Sequence, residues 1–161
     1  MSGGVRSTVA YISPALLPIS PPLPPHSQTV FNASTSGVCQ ETCRDFDHMQ
    51  MGWGAAINAA STFYAQGVDV FAEQAPRLVA AAEFAAAYLL GAPVPEYLCS
   101  GQGIKLAHVA TFEVAYAALA KRLGHAMPLT WKQITTSVRE FSGQDGIVSV
   151  WETLTHGEPA A

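Results

Sequence analysis

The stretch Val70-Phe-Ala-Glu-Gln-Ala-Pro-Arg-Leu-Val-Ala-Ala-Ala-Glu-Phe-Ala-Ala-Ala-Tyr-Leu-Leu-Gly91 decides the fold. Its apolar residues occupy almost every side of a helical wheel, so it reads as a helix from about Val70 to Leu90 that other helices surround. Glu73 and Arg77 stand at i,i+4, Pro76 is acceptable only near the first turn, and Gly91 supplies the C-terminal stop. Ala80, Ala81, Ala82, Ala85, Ala86 and Ala87 add little bulk, which lets neighbours approach from several directions.

The flanking segments are helical too. Met49, Trp53, Ile57, Ala60 and Tyr64 step at three and four residues along a first helix, expected from about Glu41 to Gln66 and ended by Gly67. A third, from about Leu106 to Leu123, carries Phe112, Tyr116, Leu119 and Leu123 on one stripe, and a short fourth is expected over Trp131 to Phe141. The fold class is therefore all-α. Four helices with one apolar all round do not close comfortably on themselves, so the chain reads as part of a larger helical assembly, with apolar faces available for self-association.

Composition narrows the function. The chain has 161 residues, 49% hydrophobic and 12% charged, with a net charge of −4. That length fits one domain. The acidic balance argues against a broad nucleic-acid face, and no apolar run approaches the ~20 residues that cross a bilayer. Six of the eleven prolines fall in the first 25 residues. Residues 1–37 thus read as an extended or disordered Pro/Ser-rich segment and 38–161 as the helical domain. The apolar stretch from Thr8 to Ile19 lacks a strong basic start and is broken by Pro14 and Pro18, so it makes a poor signal peptide.

The densest polar chemistry lies at the first helix. Gln40, Arg44 and His48, at i, i+4 and i+8, would project together, with Gly52, Ala55 and Ala59 continuing that face as a groove with floor space. The same residues also fit a solvated first turn in which Glu41 and Asp45 favour the helix dipole and Arg44 pairs with either. His108, His125 and His156 show no metal-ligand spacing. Cys39 or Cys43 could bridge to Cys99 in an exported protein, leaving one thiol over; in a reducing compartment all three would stay thiols. Asn32-Ala-Ser34 is a glycosylation sequon.

Read in order, Cys39-Gln-Glu-Thr-Cys-Arg-Asp-Phe-Asp-His-Met-Gln50, Ile57-Asn-Ala-Ala60, Gln66-Gly-Val-Asp69, Arg77-Leu78, Glu83-Phe84, Tyr88-Leu-Leu-Gly91 and Val94-Pro95 resemble the alginate lyase superfamily of polysaccharide lyases. Thr111-Phe-Glu-Val-Ala-Tyr116, Arg122-Leu-Gly124, Met127-Pro128 and Val150-Trp-Glu-Thr-Leu-Thr-His-Gly157 continue the likeness, which covers residues 38 to 157. The resemblance implies the C-terminal part of an (α/α) toroid of antiparallel helices, a secreted location, and β-elimination on an acidic, uronate polysaccharide such as alginate or glucuronan. It implies no cofactor and no metal site. His48 matches the family's histidine and Tyr116 its tyrosine, with Arg44, Gln40 and Gln50 lining the subsite. The family's arginine before the tyrosine has no counterpart at His108, Val109 or Ala110, which leaves Arg44 or Lys105 to neutralise the uronate carboxylate. Trp151 would offer a face for sugar stacking, and His156 sits in the family-like ending. The alternative is a truncated or decayed non-catalytic homologue that binds carbohydrate or serves as a helical interaction module.

Overall fold

The computed structural model describes residues 36–106, 112–138 and 155–157, and among these every regular element is helical. Helix α1 spans Phe46–Ala65 and α2 Val70–Leu89. A 3-10 turn covers Leu98–Gly101. Helix α3 starts at Phe112–Tyr116 and widens into π-type turns over Ala117–Arg122, and α4 runs from Pro128–Gln133 into similar turns over Ile134–Val138. No described helix is long and apolar enough to cross a membrane.

Two helix ends fall where the glycines place them. Gly67 takes φ +86 and Gly91 φ +92. The amides that follow reach back in the same pattern, Val68 N–H to the Phe63 carbonyl and Ala92 N–H to the Ala87 carbonyl, which closes each last turn. Pro76 lies well inside α2 rather than in its first turn. Both Pro76 and Ala72, whose carbonyl its missing N–H would have engaged, are exposed, so water can take the vacated bond.

Two helix starts differ from the sequence expectation. Helix α1 begins at Phe46, not near Glu41, because the Asp45 side chain caps it and residues 40–44 form turns before it. Helix α4 begins at Pro128, not Trp131, with the proline in its first turn, where no N–H is required. Glu83 of α2 reaches across to cap it, accepting from Thr130 N–H at 2.8 Å, Thr130 Oγ1 at 2.7 Å and Leu129 N–H at 3.2 Å.

Helix α2 is the hub and packs against α1, α3 and α4. Ala75, Ala81, Ala82, Ala85 and Ala86 are buried, so close approach from several sides is realised. Around them stand Phe46, Trp53, Phe71 and Phe112, each essentially without exposure. Burying an aromatic or large aliphatic side chain of this kind contributes about 1.5–3 kcal/mol. Phe46 contacts Phe84 and Tyr88, so α1 and α2 run antiparallel. Trp53 packs on Phe112 while Tyr64 lies under Arg122, so α1 and α3 run in the same direction. At residue 37 the chain presses against α2 so tightly that a Cβ there would overlap the Ala80 carbonyl and Phe84, which only glycine avoids.

Candidate functional site

The start of α1 gathers the polar groups. Asp45 Oδ1 accepts from the His48 backbone N–H at 2.9 Å and meets His48 Nδ1 at 2.7 Å. The same carboxylate therefore caps the helix and holds the imidazole ring. Hydrogen bonding to His48, by backbone and then side chain, keeps the Asp45 carboxyl below the usual carboxylate range, and the charges of His48 and Lys105 add to that.

Lys105 arrives from the other side of the sequence. Its carbonyl accepts from Phe46 N–H at 2.9 Å, satisfying one of the donors that a helix start leaves open. Cys43 is bonded to Cys99, with Cα atoms 5.1 Å apart, which pins the turn before α1 to the 98–105 segment. Of the two pairings open to Cys99, the bridge uses Cys43, and Cys39 remains a buried thiol. Cys99 and Ser100 both take positive φ, 54° and 55°, on this pinned segment.

From His48 an open strip continues along α1. Gly52 and Ala55 are exposed and Ala59 partly so, and a Cβ built on Gly52 would meet nothing within 4 Å. These small residues follow His48, the third residue of the helix, along one face, whereas Gln40 and Arg44 of the expected triad precede the helix.

The remaining sequence candidates are placed as follows. Gln40 is exposed in the turns before the helix, so the i, i+4, i+8 spacing with Arg44 and His48 has no helical meaning. Arg44 is also exposed there and lies 3.6 Å from Glu41. Gln50 does not line a subsite: it is fully buried, its Nε2 donating to the Phe46 carbonyl at 3.0 Å. Tyr116 is half-buried with its ring stacked on Trp131, centroids 5.0 Å apart. Phe112 packs on Trp53, more than a turn beyond His48, and Tyr116 follows Phe112 by a further turn of α3, so it is displaced along α1 away from His48. The structure thus fixes the Lys105 backbone at the start of α1, with its charge acting on Asp45, and sets Tyr116 on α3 against Trp131. His156 is exposed, with Nδ1 2.7 Å from Thr155 Oγ1. Trp151 and His108 lie outside the described residues.

Among the described residues, no three His, Cys, Asp or Glu side chains gather as a metal site would require. Sequence reasoning missed Asp45 as the partner of His48. An Asp ahead of an apolar stripe is an N-cap signal, but Glu41 and Asp47 offer similar ones, and no spacing rule says that the His48 ring turns back to this carboxylate. Comparison of the chain with family models, curated proteins and solved structures gave no match.

Proposed function

We propose that the protein is a polysaccharide lyase of the alginate lyase type, cleaving a uronate polymer by β-elimination, and that its helices belong to an (α/α) toroid. The observation that carries this reading is His48, tied through Nδ1 to Asp45, whose carboxylate also feels the charge of Lys105, at the head of an open strip of small residues. The quoted motifs supply the reaction type.

In this reading Lys105, with Arg44, faces the uronate carboxylate and makes the C5 proton more acidic. Nε2 of His48 takes that proton. The electron pair left at C5 forms the C4–C5 double bond as the bond from C4 to the glycosidic oxygen breaks. The imidazolium returns its proton to the departing oxygen, so one residue serves as base and then acid. Tyr116 has no step here.

The non-catalytic reading keeps one specific support, the separation of Tyr116 from His48 and its stacking on Trp131. Ultraviolet absorbance of the unsaturated product, measured with alginate, polyglucuronate and polymannuronate, decides between them. Lysis abolished in His48→Ala and retained in Tyr116→Phe supports the His48 mechanism. Lysis abolished in Tyr116→Phe would return the tyrosine to the chemistry. A flat trace from folded protein that still binds the polymer would leave a carbohydrate-binding homologue.

A further inference from the structure

The two contacts of Asp45 with His48 do different things. A capping aspartate needs only a backbone N–H, and Asp45 has that bond to His48. The second contact, 2.7 Å from the same oxygen to Nδ1, is not required for capping. It acts on the ring. A neutral imidazole carries one proton, and a carboxylate at hydrogen-bond distance from Nδ1 favours its placement there, which leaves Nε2 as the free lone pair. The carboxylate is itself held, because Phe46 N–H is fixed on the Lys105 carbonyl and Cys43 is bonded to Cys99. The contact gives the His48 ring a defined orientation, with Nδ1 towards the carboxylate and Nε2 away from it. The charged group acting on this pair from outside it is Lys105, with Asp47 and the Arg44–Glu41 pair on neighbouring residues of the chain.

We infer that Asp45 is a positioning residue of the lyase site, holding His48 with its proton on Nδ1 and presenting Nε2 to the substrate. This rests on the lyase reading of the same site. Once Nε2 has taken the C5 proton, Asp45 stays hydrogen-bonded to Nδ1–H and keeps the ring in place, in the way that a buried aspartate orients the histidine of hydrolase triads.

Asp45→Asn is the discriminating variant. Asparagine caps helices as well as aspartate and has the same shape, so the fold is kept while the charge is removed. The measurements are nitrogen-15 NMR of the His48 ring in the full chain and initial rates of product absorbance on the uronate panel. For the wild type at a pH where the ring is neutral, NMR is expected to show the proton on Nδ1. In Asp45→Asn the tautomers mix, and kcat falls at least about tenfold with KM within about twofold. The variant's melting temperature should fall by only a few degrees, the cost of the lost charge at the helix start, and both proteins should be folded at the assay temperature, which separates positioning from unfolding. A wild-type ring protonated on Nε2, or a variant with unchanged tautomer and kcat, would overturn the inference. An Nδ1–H tautomer that Asp45→Asn disturbs, in a protein with no lytic activity, would uphold the geometry of the pair and reject the lyase reading instead.

Discussion

Arg122 grips both carboxylate oxygens of Asp69, at 2.6 and 3.1 Å, across 53 positions of sequence. The guanidinium also lies 4.0 Å over the Tyr64 ring and 5.8 Å from that of Phe71. Asp69 meanwhile caps α2 by accepting from Ala72 N–H at 3.0 Å. One partly exposed ion pair thus joins the end of α1, the start of α2 and the end of α3.

Replacing Arg122 by Ala should cost about 1–2 kcal/mol in urea unfolding at neutral pH, a modest figure because the pair is partly in water. Lysine should recover only part of it, since it cannot take both oxygens and stack at once. The Arg122 contact holds the Asp69 carboxyl below its ordinary value. Its contribution is therefore present above the unfolded carboxylate value near 4 and lost as pH falls through the lower folded one. The acid limb of the stability curve should be shallower in Arg122→Ala than in the wild type.

The Cys43–Cys99 bridge closes a loop with a sequence separation of 56. Chain-entropy reasoning gives about 4 kcal/mol for a loop of that size, an upper figure if the reduced chain keeps residual structure. Thermal melts of a Cys43→Ser/Cys99→Ser double variant, and of wild type with dithiothreitol, should fall together. Equal melting temperatures with and without reductant would show that the bridge adds no stability.

Burial pushes the Cys39 thiol from 9.0 up to about 12. The unfolded chain loses this proton first, so stability is unaffected below pH 9 and declines by about 1.4 kcal/mol per pH unit from there towards 12. Cys39→Ala should flatten that alkaline decline while lowering the neutral-pH value by a small cavity cost. Urea midpoints at pH 8, 9 and 10 measure both effects.

How much of this could be read from residues alone depended on range. The Met49, Trp53, Ile57 and Ala60 stripe and the alanine face of α2 are local periodicities, and all four stripe residues are buried. Gly67 and Gly91 are local stops and hold. Tyr64, on the same stripe, is exposed, because its ring is needed under Arg122 and that partner is far away in sequence. The start of α1 was misplaced because acidic residues at 41, 45 and 47 all suit a first turn, and only the Asp45 geometry picks one. Gln50 is a site residue only by the family resemblance, whereas its burial depends on packing by other helices and its amide turns back to the Phe46 carbonyl of its own helix. Lys105 was chosen for its charge, but its proximity to Asp45 arises from a backbone bond and a disulfide that no spacing rule contains.

The cap that Glu83 lends to α4 has a consequence for how this sequence can be rearranged. Met127, at the capping position of α4, contributes no side-chain bond of its own, and α1 takes part of its first turn from the Lys105 carbonyl. Neither helix carries a complete start within its own stretch of chain. The carbonyl at position 105 would come with any residue there, but the Glu83 carboxylate would not, so a recombinant with a breakpoint between residues 83 and 130 keeps the start of its last helix only if the parent supplying residue 83 has a carboxylate that reaches Thr130.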